Sequence, residues 1–197
     1  MVRSAVNICD ASPDDAEALV AVWAGLTGRT PEGEATPHAL QEAAAAIARI
    51  AADPDQRLLV ARIEDQVAGA VHLARAPLSP VHHDAAVYVM HLQVIESLRR
   101  HGVGRALMEA TVTWAEEKDT AHVVAAAASA SRDANRFMAR LGLSQIAVVR
   151  GATVASLRAK LPVDPPAAAR VGTRSHRSVG HVLAQRRSMR RAQTRPS

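Results

Sequence analysis

The stretch VYVMHLQVIESLRRHGVGRALMEATVTWAEE, residues 87–117, joins a strand-like half to a helix-like half. Its first half is mostly apolar and rich in β-branched side chains, whereas its last fifteen residues place apolar side chains at helical spacing. Between the halves lies RRHGVG, residues 99–104, with three basic residues and two glycines. A helix that begins directly after a strand leaves its first N–H groups without partners, with the positive end of the helix dipole behind them. The junction therefore predicts an anion site.

The composition of this junction favours a phosphate. Gly102 and Gly104 remove side chains from the start of the predicted helix, so that a ligand can approach the backbone. Arg99, Arg100 and Arg105 place positive charge around it, and guanidinium groups bind phosphate oxygens in pairs. Other phosphate motifs do not fit, because the chain has no GxxxxGKS/T sequence and lacks the third glycine of GxGxxG. A pyrophosphate is the predicted guest.

The bulk composition predicts a soluble globular protein. The chain has 197 residues, of which 48% are hydrophobic, enough for one domain with a sizeable core. No window approaches the roughly 18 apolar residues that a membrane span requires, and the N-terminal residues do not resemble a signal peptide. We therefore expect a cytoplasmic protein. The single cysteine, Cys9, has no disulfide or metal-ligand companion, so no metal is expected.

The positive charge is concentrated at the C-terminus. The net charge is +5, but residues 162–197 contain eight arginines and one acid, so residues 1–161 are slightly acidic. The C-terminal segment opens with prolines and lacks apolar periodicity, which predicts a disordered, basic, Pro/Arg-rich tail after a domain of residues 1–161. Nucleic-acid binding is not expected, except weakly through this tail, because no aromatic platform accompanies the arginines.

The remaining patterns predict a mixed α/β layer. In chain order, we expect a strand over residues 2–9, a helix from Ser12 to about Leu26, a helix over 37–51, strands over 57–63 and 67–75, the strand of the quoted stretch, the helix from Gly102, a strand over 122–128, a helix over 131–142, a strand over 143–150 and a candidate last strand over 153–157. The short polar connection between residues 63 and 67 is typical of a hairpin.

This order of elements, together with two motifs, resembles the GNAT superfamily of N-acetyltransferases over residues 3 to about 160. The acetyl-CoA signature of that superfamily is a Leu-x-Val-like pair at a strand end, followed by Q/R-x-x-G-x-G/A at the start of a long helix. Here it reads Leu92-Gln93-Val94, then Arg99-Arg100-His101-Gly102-Val103-Gly104. A second signature, N-x-x-A-x-x-L/F-Y-x-x-x-G-F, is matched less well by residues 131–143, SRDANRFMARLGL.

The resemblance implies a fold and a cofactor. The fold would be a central, mixed and largely antiparallel sheet that splays at the acetyl-CoA site, with helices on both faces. Acetyl-CoA would be the acetyl donor, with its pyrophosphate on the backbone and its pantetheine arm along the strand edge. A backbone N–H there would also face the thioester oxygen. The implied cofactor contacts are Leu92, Val94, Arg99, Arg100, His101, Gly102, Val103, Gly104 and Arg105.

Two residues depart from the family pattern. Ser131 stands where the family often has asparagine, and Asn135, one helical turn later, is a candidate substitute as a CoA contact. Helix capping is an equally good role for Ser131. Met138 stands where the family often has the tyrosine that serves as acid toward the leaving thiolate. A thiol with a pKa near about 8.5 departs without much assistance, so the loss does not exclude catalysis.

The proton of the acceptor amine requires a base. His91 lies beside the expected thioester and, by simple alternation, on the face opposite Tyr88, Met90 and Leu92. It is our first candidate, and Tyr88 is the second, although a partly exposed surface histidine has the same pattern. His82 and His83, in the preceding loop, are candidates for shaping the acceptor pocket or for plain solvated loop residues.

The sequence thus predicts an N-acetyltransferase that transfers the acetyl group of acetyl-CoA directly to a primary amine. It leaves open whether the acceptor is a small amine, a protein lysine or a protein N-terminus, and it leaves open the oligomeric state. The alternative is a non-catalytic acyl-CoA-binding regulatory protein, which the methionine at position 138 motivates.

Overall fold

The computed structural model describes residues 5–24, 35–81, 83–128 and 130–161. The chain divides into two compact units, residues 1–144 and 145–197. The first unit contains β1 (Asn7–Asp10), α1 (Ala16–Trp23), α2 (Pro37–Ala51), β2 (Gln56–Ile63), β3 (Gln66–Pro77), β4 (Ala85–Val94), α3 (Val103–Glu117), β5 (His122–Ala125) and α4 (Arg132–Arg140). The second unit contains α5 (Val154–Lys160). The predicted disordered tail, residues 162–197, lies outside the described residues, and the predicted domain boundary after residue 161 stays a prediction.

The sheet of the first unit has the strand order β1-β2-β3-β4-β5. The three pairings among β1, β2, β3 and β4 are antiparallel, whereas β5 runs parallel to β4. The predicted mixed and largely antiparallel sheet is thus confirmed. The hairpin between β2 and β3 is confirmed too: Glu64 and Asp65 form its two-residue turn with positive φ angles of 51° and 65°. Such turns match the twist of the strands they join.

Helices cover both faces of the sheet because the strands alternate apolar residues toward each face. One cluster lies under α3 and includes Leu59, Val71, Leu73, Val87, Val89, Leu107 and Trp114. The other lies under α1 and α2 and includes Leu19, Ile47, Leu58, Val60 and Ala70. We call these sides the α3 face and the α1/α2 face. No helix in the described ranges combines the length and the apolar character needed to cross a membrane.

Helix ends follow local sequence signals. Thr36 Oγ1 accepts a hydrogen bond from Ala39 N at 3.2 Å and precedes Pro37, so α2 begins where it was predicted. At the other end of the unit, Gly142 adopts φ 82° just after α4, and Leu143 N donates to Met138 O at 3.1 Å. This left-handed residue ends the helix, as predicted.

Two predicted strands near the C-terminus are wrong. The segment over residues 143–150 has no regular structure, and Ile146, Val148 and Val149 are exposed. An apolar, β-branched pattern favours a strand, but a strand also needs a partner for its backbone groups, and the described residues provide none here. The predicted last strand is instead α5, which Thr153 caps by accepting a hydrogen bond from Ser156 N at 3.1 Å. That capping signal outweighed the strand pattern.

Other predicted boundaries also changed. The strand predicted over residues 122–128 ends at Ala125. The first strand begins at Asn7, and the part predicted before residue 5 lies outside the described residues. The first helix runs from Ala16 after a 3₁₀ turn over Pro13–Asp15, and its predicted extension to about Leu26 also lies outside them. Asp15 is buried and forms an ion pair with Arg62 of β2, which ties this helix start to the sheet.

Candidate active site

The two edges of β4 differ along its length. On one edge β4 pairs with β3 over the whole strand, from Ala85 to Val94. On the other edge β5 pairs only with Ala86 to Val89, and Ala126 N donates to Val89 O at 3.2 Å. Beyond that bond, no described residue pairs with this edge of β4. The two parallel strands therefore part after Val89, and the peptide groups on this edge of the rest of β4 have no strand partner among the described residues.

A β-bulge lies at the point of divergence. The register of β3 and β4 shifts between Ala70 and His72, so that two β4 residues stand opposite Val71. His91 belongs to this bulge and has a positive φ of 55°. The indole Nε1 of Trp23 donates a hydrogen bond of 2.7 Å to His91 O. The bond ties α1 to the bulge and holds the backbone of β4 in this irregular conformation.

The bulge corrects the predicted strand faces. Leu92 and Val94 pack against the α3-face cluster, the same side as Val87 and Val89. Strict alternation from Val89 would have put Leu92 on the opposite face, with Tyr88, as the sequence predicted. The extra residue at His91 reverses the alternation, so the prediction that Leu92 shares a face with Tyr88 and Met90 is wrong.

Gly69 allows the close approach of β3 to the diverged half of β4. A β-carbon built on Gly69 would lie 2.6 Å from Gln93 O and 3.0 Å from a methyl carbon of Val103. No real side chain fits at such distances, so this position requires glycine. Sequence reasoning missed it, although a glycine in the interior of an apolar strand is a recognised sign of a bulge or a close backbone contact.

Residues 95–102 join the end of β4 to the start of α3. A 3₁₀ turn over Glu96–Leu98 leads into a left-handed Arg100, with φ 68°, and a left-handed Gly102, with φ 86°. No side chain caps α3, and its first intrahelical bond runs from Ala106 N to Gly102 O at 2.9 Å. The three amides before Ala106 therefore have no acceptor within the helix. A β-carbon at Gly102 would meet nothing within 4 Å, so this backbone faces open space.

Gly104 lies against α4 as well as in the first turn of α3. A β-carbon there would lie 3.4 Å from the Phe137 ring of α4. Its Cα thus faces a neighbouring helix, and a methyl group there would make an ordinary van der Waals contact with the ring. Its amide still belongs to the uncapped first turn, so the predicted backbone contact and the packing role are compatible.

Basic side chains surround the uncapped helix start, and several have local partners. Arg105 Nε donates to Glu109 at 2.8 Å, and this hydrogen bond raises the pKa of the guanidinium. Arg99 lies 3.7 Å from Glu96, and His101 Nδ1 lies 3.0 Å from Arg99 O. All of these side chains are exposed. Their charge is therefore available to an anion, at the cost of weakening exposed ion pairs that contribute little.

The α4 candidates are engaged in shaping their own helix. Ser131 Oγ accepts a hydrogen bond from Ala134 N at 3.3 Å, so it caps α4. Asn135 Nδ2 donates to Ala128 O at 3.1 Å and to Ser131 O at 2.7 Å. Met138 is buried. The geometry thus supports the capping role for Ser131 and leaves the predicted cofactor contacts of both residues as predictions.

The two candidate bases lie in different halves of β4. His91 is exposed, in the bulge. Tyr88 lies in the paired half, and its hydroxyl donates to Pro77 O at 3.3 Å, away from the divergence. Of the loop histidines, His83 is exposed and His82 lies outside the described residues. Within the described ranges, no cluster of His, Cys, Asp and Glu is arranged to hold a metal ion.

A further histidine, His72, lies on the α1/α2 face of the sheet, and the sequence analysis missed it. His72 of β3 stands opposite Met90 and Leu58, and its Nε2 lies 2.9 Å from Gln56 Oε1. Burial, and secondly the charge of His91, lower the pKa of the His72 imidazole. A histidine inside a predicted strand gave a weak signal, because its neighbours across the sheet depend on register.

The family model for the Acetyltransferase (GNAT) family matches residues 22–143, which is more than half of the chain. The chain belongs to the GNAT family. It is accordingly an acyltransferase, and the resemblance noted from the two motifs is confirmed. A comparison with curated proteins found no match to this chain.

Solved structures share this fold. A transcriptional regulator from Bacillus halodurans C-125 is similar, with a TM-score of 0.63 and 20% identity over 76% of this chain and 99% of that chain. A ribosomal-protein-alanine N-acetyltransferase from Brucella melitensis biovar Abortus 2308 has a TM-score of 0.57 and 22% identity, over 75% of this chain and 100% of that chain. A glucosamine-6-phosphate N-acetyltransferase from Arabidopsis thaliana has a TM-score of 0.61 and 14% identity, over 76% of this chain and 99% of that chain. At these identities the likeness shows the fold.

Proposed function

We propose that this enzyme transfers the acetyl group of acetyl-CoA directly to a primary amine, without an acyl-enzyme intermediate. The observation that carries the proposal is the divergence of β4 from β5 directly beside the uncapped start of α3. One surface thus offers free strand-edge peptide groups and free helix N–H groups. A pantetheine amide chain that ends in a pyrophosphate requires this combination.

The pyrophosphate would bind at the start of α3. Residues 103–105 supply backbone amides with no acceptor inside the helix, together with the positive end of the helix dipole. Arg99, Arg100 and Arg105 add exposed basic side chains around them. The left-handed Gly102 leaves the approach to this backbone open. Leu92 and Val94 would contribute their peptide edge to the pantetheine arm while their side chains pack on the core.

The acetyl transfer itself needs a base on the acceptor side. An acceptor ammonium has a pKa near about 10.4, so it must lose a proton before it attacks the thioester carbon. His91 is held at the divergence by the bulge and by Trp23, and a neutral imidazole suits this role. A backbone N–H of the diverged half would stabilise the oxyanion, after which the C–S bond breaks and the thiolate leaves.

The leaving group receives no proton from position 138, because Met138 is buried and has no acidic hydrogen. Positioned acid catalysis contributes roughly 10²- to 10⁴-fold, so we expect a slow enzyme rather than an inactive one. The slightly acidic residues 1–161 suit a cationic acceptor, either a small amine or a protein amine. We propose that these residues are the catalytic domain and that residues 162–197 are an appendage to it.

A panel of amines tests the proposal. The full chain is incubated with acetyl-CoA and small amines, amino sugars, peptide N-termini or lysine peptides, and thiol release is followed together with the mass of the products. A mass increase of one acetyl group on an amine, matched by thiol release, is the expected result. Binding of acetyl-CoA without turnover on any amine would favour the regulatory alternative, and absence of binding would contradict the assigned site.

A further inference from the structure

His72 lies on β3, the strand that pairs with β4, at the level of the bulge. Its Cα partner on β4 is Met90, the residue directly before the bulge. It alternates with Val71 and Leu73, which face α3, so its side chain belongs to the α1/α2 face. It is half-buried. A half-buried imidazole at this position requires hydrogen-bond partners.

One nitrogen of His72 is held by a chain of side chains. Gln56 Nε2 donates to Asp53 Oδ2 at 2.7 Å, and Gln56 Oε1 lies 2.9 Å from His72 Nε2. The carboxylate of Asp53 can only accept, so it fixes which end of the Gln56 amide faces His72. That end is a carbonyl oxygen, which also can only accept. The proton in the contact therefore belongs to His72 Nε2, and Nδ1 carries a lone pair.

The surroundings keep His72 neutral at neutral pH. Its pKa is lowered first by burial and then by the charge of His91. The hydrogen bond from Gln56 lowers the pKa of Asp53, so that carboxylate stays ionised.

Other ionisable groups of the described residues on this side are turned to solvent or tied elsewhere. The helices of this side carry exposed Glu17, His38, Glu42 and Arg49. The phenol of Tyr88 donates to Pro77 O. The buried Asp15 is paired with Arg62. His91 follows Met90, the Cα partner of His72, and precedes Leu92, whose side chain packs on the α3 face. His91 is therefore the ionisable residue of β4 next to His72 on this side.

We propose that His72 is a positioning residue for proton transfer, whose Nδ1 accepts a hydrogen bond from His91, directly or through one water, when His91 takes the proton of the acceptor amine. The inference rests on the proposed function. The acceptor ammonium gives one proton to His91, and its nitrogen forms the C–N bond as the C–S bond breaks. The thiolate leaves with the electron pair and takes up the second proton of the nitrogen. His91 returns its own proton to solvent.

Two substitutions of His72 separate this role from a structural one. His72→Gln places an amide nitrogen where Nε2 was and keeps the bond to Gln56, but it removes the acceptor at Nδ1. His72→Asn places an amide group where Nδ1 was, but it loses the bond to Gln56. His122→Gln, at an exposed histidine of β5, is the matched control.

The kinetic result expected is a fall in kcat of about 10²-fold for His72→Gln, at the lower end of proton-transfer effects. The KM for acetyl-CoA should stay the same, the acidic limb of the pH profile should move, and His72→Asn should retain more activity than His72→Gln. Thermal unfolding shows that each variant folds. A His72→Gln enzyme with the rate and pH profile of the His122→Gln control would overturn the proposal.

Nuclear magnetic resonance of the imidazole nitrogens tests the geometry without turnover. In the full chain, His72 should show a proton on Nε2 and none on Nδ1 at neutral pH, and its titration midpoint should rise in His91→Ala. A proton on Nδ1, or a midpoint that does not respond to His91→Ala, would overturn the proposal. If no amine is acetylated but this titration is as expected, the proposed function fails and the histidine pair stands.

Discussion

The two halves of β4 share the neighbour β3 on one edge, but only the first half has β5 on the other edge. From Ala86 to Val89 the strand is paired on both edges, and Val87 and Val89 belong to the cluster on the α3 face. From Met90 to Val94 β3 is its only strand partner among the described residues, and a bulge interrupts the alternation. The paired half is an ordinary core strand. The diverged half makes two particular contacts, at His91 O and at Gly69, and each of them can be removed without touching the paired half.

The largest effect on the rate is expected from replacing a candidate base, and each half of β4 contains one: His91 in the diverged half and Tyr88 in the paired half. Because the proposed base lies in the diverged half, His91→Ala should lower kcat/KM by roughly 10²- to 10⁴-fold. It should also remove the rise of kcat/KM with pH that the deprotonation of this imidazole causes in the wild type. Tyr88→Phe, in the paired half, removes only the hydroxyl that donates to Pro77 O. Steady-state rates between pH 5 and 10 compare them. If Tyr88→Phe is the slower enzyme, the base belongs to the paired half.

Gly69→Ala tests the close approach that only the diverged half has. A methyl group 2.6 Å from Gln93 O must push β3 and β4 apart, which should cost about 1–3 kcal/mol of unfolding free energy and weaken CoA binding. Denaturant unfolding and calorimetry measure the two effects. Gly151→Ala is the matched control, because a β-carbon there meets nothing within 4 Å. Equal stabilities of the two variants would show that the contact at Gly69 is not essential.

The bond from α1 to the bulge gives a smaller effect. Trp23→Phe keeps an aromatic ring on the α1/α2 face but removes the N–H that donates to His91 O. The loss of one such bond costs about 0.5–1.5 kcal/mol, and we expect kcat to fall while the KM for acetyl-CoA stays the same. Thermal unfolding and steady-state kinetics check this. A fall in stability with unchanged kcat would mean that the bond fixes α1 and not His91.

These contacts mark the limit of what the sequence predicts. The sheet, the hairpin and the start of α3 follow from alternation, turn residues and glycines that act locally. The bulge at His91, the indole of Trp23 and the tight contact at Gly69 each join segments that are distant in sequence, so their geometry depends on register. The two wrong strands near the C-terminus show the same limit, because a strand pattern does not identify a partner.

A modest pH effect on stability is expected from His72. Its folded pKa is lowered, so below the ordinary imidazole pKa of about 6.5 the unfolded chain binds a proton that the folded chain does not. The contribution of His72 to the unfolding free energy is therefore complete above this range and is lost as pH falls toward the folded pKa. Denaturant unfolding from pH 7.5 to 5 should show a weaker pH dependence for His72→Gln than for the wild type. An identical dependence would contradict this assignment.

The central claim is that the uncapped start of α3, beside the diverged half of β4, binds the pyrophosphate of acetyl-CoA. The cleanest measurement is calorimetric CoA affinity of Gly102→Asp against Gly102→Asn. Both side chains tolerate the left-handed backbone at φ 86° better than others, both enter open space, and they differ by one negative charge. Gly104→Glu is a poorer test because it also meets Phe137. We predict that Gly102→Asp binds CoA at least about tenfold more weakly than Gly102→Asn, a difference of about 1.4 kcal/mol, with equal thermal stability. Equal CoA affinities of the two variants would contradict the claim.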